Sequence, residues 1–184
     1  FSLLPDTRRV SCEQEMQRFT SDRRKLEWLS VRVLLYSMLQ EDKEIGYSSE
    51  GKPHLTDNSS FISISHTKGY VAVMLASSVP VGIDIEQYAQ RVHKVCDRYV
   101  RPDEQVESYQ GDITWGLLLH WSAKEAVFKR MENADADLRK LRLTHFIPQE
   151  EGTFQVQELV TAQQELYSVG YRICPDFVLT WTLN

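Results

Sequence analysis

The sequence predicts an α+β fold built as two similar halves. Two long stretches, residues 21–40 and 112–131, repeat apolar residues at helical spacing. Each is followed by a cluster of short strand-like runs, about three to a half. No low-complexity linker separates the clusters, and the boundary is drawn between residues 1–90 and 91–184.

In the first half, Ser21 or Asp22 can cap a helix on which Leu26, Leu29, Val33 and Leu34 recur. Residues 45–53 read as a strand and a turn, broken by Gly51-Lys52-Pro53. Residues 61–65 alternate, and residues 70–76 and 79–86 are near-continuous apolar runs. Strands this short and close suggest an antiparallel sheet. Residues 88–109 read as helical and charged, with Pro102 suited to a first turn and Asp103 and Glu104 just behind. The strongest helix follows at 112–131. Residues 141–146, 153–160, 167–173 and 177–183 are strand-like.

Composition narrows the class. The chain has 184 residues, 42% of them hydrophobic, which suits one domain or two lobes sharing a core. No run approaches the roughly 20 apolar residues of a membrane span. The opening residues lack a secretory leader pattern, and Cys12, Cys96 and Cys174 lack metal-ligand spacing, so a reduced, cytoplasmic setting is expected. A net charge of −5 argues against general nucleic-acid binding. One local strip is basic: Arg91, Lys94, Arg98 and Arg101 face only Asp97. Such a strip is either a solvated helix face or a dock for a small acidic partner.

Two segments carry chemistry. In Gly82-Ile83-Asp84-Ile85-Glu86, strand spacing projects both carboxylates to one face and both isoleucines to the other. In the segment from Trp121 to Lys129, helical spacing sets Glu125 beside Lys129, with Trp121, Lys124 and Phe128 on an adjoining stripe. Carboxylates in apolar company need a partner. A divalent cation holding a phosphorylated ligand would satisfy Asp84, Glu86 and Glu125 together, and the lysines would neutralise the remaining phosphate charge.

Four ordered segments, Gly51-Lys52-Pro53, Phe61–Thr67, Val81–Glu86 and Trp121–Lys129, resemble the Sfp-type 4′-phosphopantetheinyl transferases. The likeness runs over residues 23–129, and the last two segments are the specific ones. It implies two α+β halves packed as an intramolecular pseudo-dimer, with the site in the cleft between them. It further implies magnesium (manganese being an alternative), coenzyme A as co-substrate, and transfer of the phosphopantetheine arm to a serine of an acyl or peptidyl carrier protein. Carried over by residue, Asp84, Glu86 and Glu125 would bind metal, and Glu125 or Glu104 would be the base. Lys124 and Lys129 would face the pyrophosphate, and Lys52, Ser65 and His66 the 3′-phosphate and adenine end. Arg91, Lys94, Arg98 and Arg101 would meet the carrier. A monomer is expected, since two halves in one chain remove the need for a dimer. The family's strand ahead of the first helix finds no alternating match in residues 1–20. Two rivals remain at this point: a truncated relative that binds coenzyme A or carrier without turnover, and a metal-dependent nuclease.

Overall fold

A computed structural model describes residues 2–131 and 137–183. Among them are three α-helices and nine strands. Helix α1 (Asp6–Met16) occupies the stretch that shows no alternation, and it begins directly after Pro5 with Asp6 in its first turn. Helix α2 (Asp22–Leu39) follows an extended Ser21 and stops where Gln40 turns left-handed at φ 55°. Helix α3 (Ile113–Arg130) is capped by the Asp112 carboxylate, which accepts from the Thr114 amide at 2.8 Å, and its last turn carries Lys129 and Arg130.

The strands form three antiparallel groups. Strands β1 (Ile45–Tyr47) and β2 (Pro53–Leu55) pair around the Gly51-Lys52 turn. Strands β3 (Phe61–Thr67) and β4 (Tyr70–Ala76) form a hairpin. Strand β5 (Ile83–Gln87) joins no sheet with β1–β4. It pairs with the last strand, β9 (Phe177–Thr182), at the edge of a five-stranded sheet ordered β5-β9-β8-β7-β6. The others in that sheet are β6 (Leu141–Leu143), β7 (Glu151–Glu158) and β8 (Leu166–Ile173).

Helix α3 lies across β5 and β9, and its Leu119 and Val127 join Val156, Val169 and Val178 in the largest apolar cluster. The approach to β5 is so close that a Cβ on Gly82 would stand 1.8 Å from the Ala126 carbonyl oxygen, so only glycine fits. A second cluster seats Val31 and Leu35 of α2 on Ile62 and Leu55.

The first group of strands meets the large sheet through side chains. Three hydroxyls of β3 accept the backbone amides of β5: Ser63 from Ile83 at 3.1 Å, Ser65 from Ile85 at 3.3 Å, and Thr67 from Gln87 at 3.3 Å. Strand alternation explains this. Ser63, Ser65 and Thr67 share one face of β3, while Ile62 and Ile64 turn to the α2 cluster. The hydroxyls thus satisfy β5 amides that no neighbouring strand pairs, and they fix the register between the two parts of the molecule.

One expectation fails. Residues 88–109 contain no α-helix; two short 3₁₀ turns, Gln90–Lys94 and Cys96–Arg98, are followed by irregular chain. The backbone there is claimed from outside: Lys124 takes the Tyr99 carbonyl at 2.6 Å and Glu104 takes the Arg101 amide at 2.7 Å. Those groups are unavailable for a helical ladder.

Candidate active site

The site forms where α3 crosses β5. Ile83 and Ile85 turn away from α3 into an apolar cluster with Ala72, Met74 and Trp181. Asp84 and Glu86 face the helix. They meet Lys129 and Trp121 respectively, which lie two helical turns apart on one stripe with Glu125 midway between.

Asp84 is only 4% exposed. Its Oδ1 accepts from Lys129 Nζ at 2.7 Å and from the Ser65 hydroxyl at 2.8 Å, while its Oδ2 is buried with no partner among the described residues. Lys129 also donates to the Ile83 carbonyl at 3.1 Å. Glu86 accepts from the Trp121 indole at 3.0 Å. Burial, the Asp84 charge and, less strongly, Glu125 push the Glu86 carboxyl up to about 7, against the Trp121 bond and Arg91. Burial and then Asp84 raise Glu125 as well, with Lys129 opposing. The Glu125 side chain makes no hydrogen bond to a described residue. Two carboxyls raised by burial and by the charge of Asp84, whose second oxygen is left orphaned, form a site short of positive charge.

That donor set suits a hard divalent cation: all oxygen, partly buried, under-compensated. As the side chains stand, no three His, Cys, Asp or Glu among the described residues enclose an ion-sized space. The positive charge nearest Asp84 is instead the Lys129 ammonium.

Lys129 links the carboxylates to a cavity of about 930 Å³ between the β1–β2 turn, β3 and the last turn of α3. Lys52, His54, Arg130 and Ser60 also line it. Lys52 reaches across to the Met131 carbonyl at the end of α3.

Other expected site residues lie elsewhere. Lys124 is not on the Glu125–Lys129 stripe; it is 0% exposed, bonded at 2.7 Å to Glu104, whose side chain is equally enclosed. Glu104 also accepts from the Leu143 amide at 2.7 Å, so its oxygens are committed and it stands apart from the carboxylate cluster. Burial pulls the Lys124 ammonium below its usual range, with Glu104 resisting. These two residues act as a buried brace, because neither reaches the cavity. Ser65 is likewise taken up between Asp84 and the Ile85 amide. His66 sits outside the cluster on the α2 side, where Arg24 approaches its Nε2 to 2.8 Å and Glu27 its Nδ1 to 3.8 Å. Of the basic strip, Arg91, Lys94 and Arg98 are exposed on the 3₁₀ turns. Arg101 is tied to Asp103 at 2.7 Å and to the Arg139 carbonyl at 2.7 Å.

Trp121 packs against the main apolar cluster, edge-on to Tyr99 at 5.1 Å, and in addition its indole donates to Glu86. Its position four residues before Glu125 was the available signal.

Residues 80–182, more than half of the chain, match the model of the 4′-phosphopantetheinyl transferase superfamily, spanning both β5 and α3. The chain belongs to that superfamily. It is 30% identical over 122 residues to the 4′-phosphopantetheinyl transferase AcpT of Escherichia coli O157:H7, covering 58% of each chain. It is 27% identical over 168 residues to enterobactin synthase component D of the same organism, covering 86% of this chain and 76% of the relative. The chain thus spans 58% of the length of the AcpT relative it matches.

Proposed function

We propose that the protein transfers the phosphopantetheine arm of coenzyme A to a serine of an acyl or peptidyl carrier protein. The observation that carries this reading is the carboxylate set Asp84, Glu86 and Glu125, under-compensated and joined through Lys129 to a cavity with a second lysine, Lys52. Phosphate chemistry needs such convergent positive charge beside a proton acceptor.

Asp84, Glu86 and Glu125 would hold magnesium, and manganese would fit the same oxygens. Bound there, the ion supplies charge neutralisation at the phosphates. Glu125 takes the proton of the attacking serine hydroxyl; its raised pKa brings it toward the pH at which proton transfer is efficient. The serine oxygen bonds to the phosphorus on the pantetheine side of the pyrophosphate. The bond from that phosphorus to the bridging oxygen breaks, and adenosine 3′,5′-bisphosphate leaves with the electron pair. Lys129 and Lys52 face the phosphate charge from the cavity wall. Ser65 and Trp121 hold Asp84 and Glu86 in place, and the Lys124–Glu104 brace holds α3 against the 99–107 loop. The exposed Arg91, Lys94 and Arg98 offer positive charge to an acidic carrier.

Intact-mass spectrometry of an apo carrier protein with coenzyme A and magnesium tests the reading. A gain of about 340 Da, the size of one phosphopantetheine arm attached through serine, is expected and should vanish with EDTA and in Glu125→Gln. Coenzyme A binding by calorimetry without any mass gain across fatty-acid, polyketide and nonribosomal-peptide carriers would support the non-catalytic relative instead. A readout independent of turnover is the melting temperature. Magnesium should raise it at pH 8 in the wild type and not in Asp84→Asn.

A further inference from the structure

A second cavity, of about 790 Å³, lies between α1, α2 and β1, and the proposed reaction makes no use of it. Its wall carries Arg18, Arg24 and Arg32 with the Trp28 ring, against the carboxylates of Glu15 and Glu44. Three guanidinium groups against two carboxylates leave one positive charge in excess.

Arg32 is the informative member. It is 6% exposed, and its guanidinium lies 3.4 Å over the Trp28 ring centroid. One terminal nitrogen donates to the Trp28 carbonyl at 3.2 Å, but Nε has no partner among the described residues. Leaving a buried donor unpaired is costly, and arginine does not escape by shedding its proton. Arg18, exposed at the rim, makes no side-chain hydrogen bond or ion pair to a described residue. Arg24 is partly engaged with His66 and Glu27.

Helix α3 shows what such a position requires. It buries Ala123, Lys124 and Val127, as α2 buries Val31, Arg32 and Leu35: the same three-position pattern with a basic residue in the middle. Around Lys124 the chain closes a loop and brings in the Glu104 carboxylate at 2.7 Å. Around Arg32 there is a cavity.

We infer that the cavity between α1, α2 and β1 is a binding site for a small phosphate-class oxyanion, held by the Arg32 and Arg18 guanidinium groups that line it. The anion does for Arg32 what the Glu104 carboxylate does for Lys124. Planar guanidinium forks match oxyanions of this class, and the Trp28 ring behind Arg32 fixes the plane of its fork. Glu15 and Glu44 oppose the anion and set a ceiling on affinity, which makes their removal diagnostic.

The test is a titration with sodium phosphate at constant ionic strength, read by proton–nitrogen NMR of the arginine Nε–H and tryptophan indole signals. The Arg32 signal is identified by its loss in Arg32→Lys. Saturable shifts at Arg32 and Trp28 are expected, and they should persist with coenzyme A at saturation. Arg18→Ala, a change at an exposed side chain, should weaken binding about tenfold, as loss of one charge-assisted contact implies. Glu15→Gln should tighten it severalfold by removing a like charge. The inference is overturned by the absence of saturable shifts, by equal shifts with sodium chloride, or by affinity unchanged in both variants. Displacement of phosphate by coenzyme A would also overturn it, since the cavity would then belong to the coenzyme's footprint.

Discussion

Glu158 and Glu86 are carboxylates of the same sheet, and their surroundings drive them in opposite directions. Glu158, 1% exposed at the end of β7, would be raised by burial alone. The Thr161 hydroxyl and the amides of Thr161, Glu165 and Val160 outweigh burial and hold it at about 2. Glu86 receives one indole N–H and two acidic neighbours, and stands near 7. Four convergent donors make a structural carboxylate, fastened by its own chain. One donor and like charges make a carboxylate that awaits something from outside. The Lys124–Glu104 pair belongs to the first kind and Asp84, with its orphaned Oδ2, to the second.

Breaking a closed group should therefore damage the fold, and neutralising an open one should damage only function. Glu104→Ala leaves the Lys124 ammonium buried without its counter-charge and the Leu143 amide without its acceptor. A loss of about 3–5 kcal/mol is expected, measured by urea unfolding. Replacing both partners with apolar residues of similar volume should recover most of it, because no uncompensated charge then remains. Recovery failing in the double variant would mean that the brace shapes the loop rather than balancing charge.

Glu125→Gln is the converse case. It removes one like charge from the cluster, so stability should hold or rise slightly. Carrier modification should fall by about 10²- to 10⁴-fold, the usual range for a lost proton acceptor. A variant that unfolds in step with its loss of activity would place Glu125 among the closed groups.

This contrast also marks what the sequence could disclose. Helices α2 and α3, the β3–β4 hairpin and the opposed faces of β5 follow from periodicity, and the structure has each of them. The grouping of Asp84, Glu86, Glu125 and Lys129 was legible because strand and helix spacing dictate it. Lys124 was misread because adjacency to Glu125 says nothing about which way a residue turns: one step along a helix rotates it by about 100°. Glu104 was misread because its partners, Leu143 and Lys124, are far away in the chain. The 99–107 segment carries helix-start residues, yet distant groups claim its backbone, and tertiary contacts override local preference. The hydroxyl seam of Ser63, Ser65 and Thr67 was present as alternation, but only the fold shows that β5 lies beside it.

The two glutamates predict pH profiles of opposite slope. Glu158 has a folded pKa below its unfolded value. Its contribution is therefore full above about pH 4.3 and is lost as pH falls toward 2. Glu86 has a folded pKa above its unfolded value. Its contribution favours the fold below about pH 4.3 and is lost as pH rises toward 7. Melting temperatures measured without divalent metal should show Glu158→Gln below the wild type at pH 7, the two converging near pH 2. Glu86→Gln should lie above the wild type at pH 8 and flatten the decline between pH 5 and 7. Asp84, Glu125 and Arg91 also act on Glu86, so Glu125→Gln should move the midpoint of that decline downward. Parallel profiles in all variants would show that the two surroundings do not differ as argued.

The smallest effects fall on the basic turns, where the same distinction separates neighbours. Arg101 is bonded to Asp103 and to the Arg139 carbonyl, so its charge is balanced within the molecule. Arg98 and Lys94 are exposed, with their charge open to a partner. Arg98→Ala and Lys94→Ala should each slow association with an acidic carrier a few-fold at low salt, with the difference vanishing as salt rises past about 0.5 M. Arg101→Ala should leave the association rate nearly unchanged and lower stability by about 1 kcal/mol, since its bonds are local and partly exposed. Stopped-flow association at several salt concentrations, paired with thermal melts, separates the two. If Arg101→Ala slows association as much as Arg98→Ala does, an internally balanced charge can still serve docking, and the division drawn from Glu158 and Glu86 stops at the protein's interior.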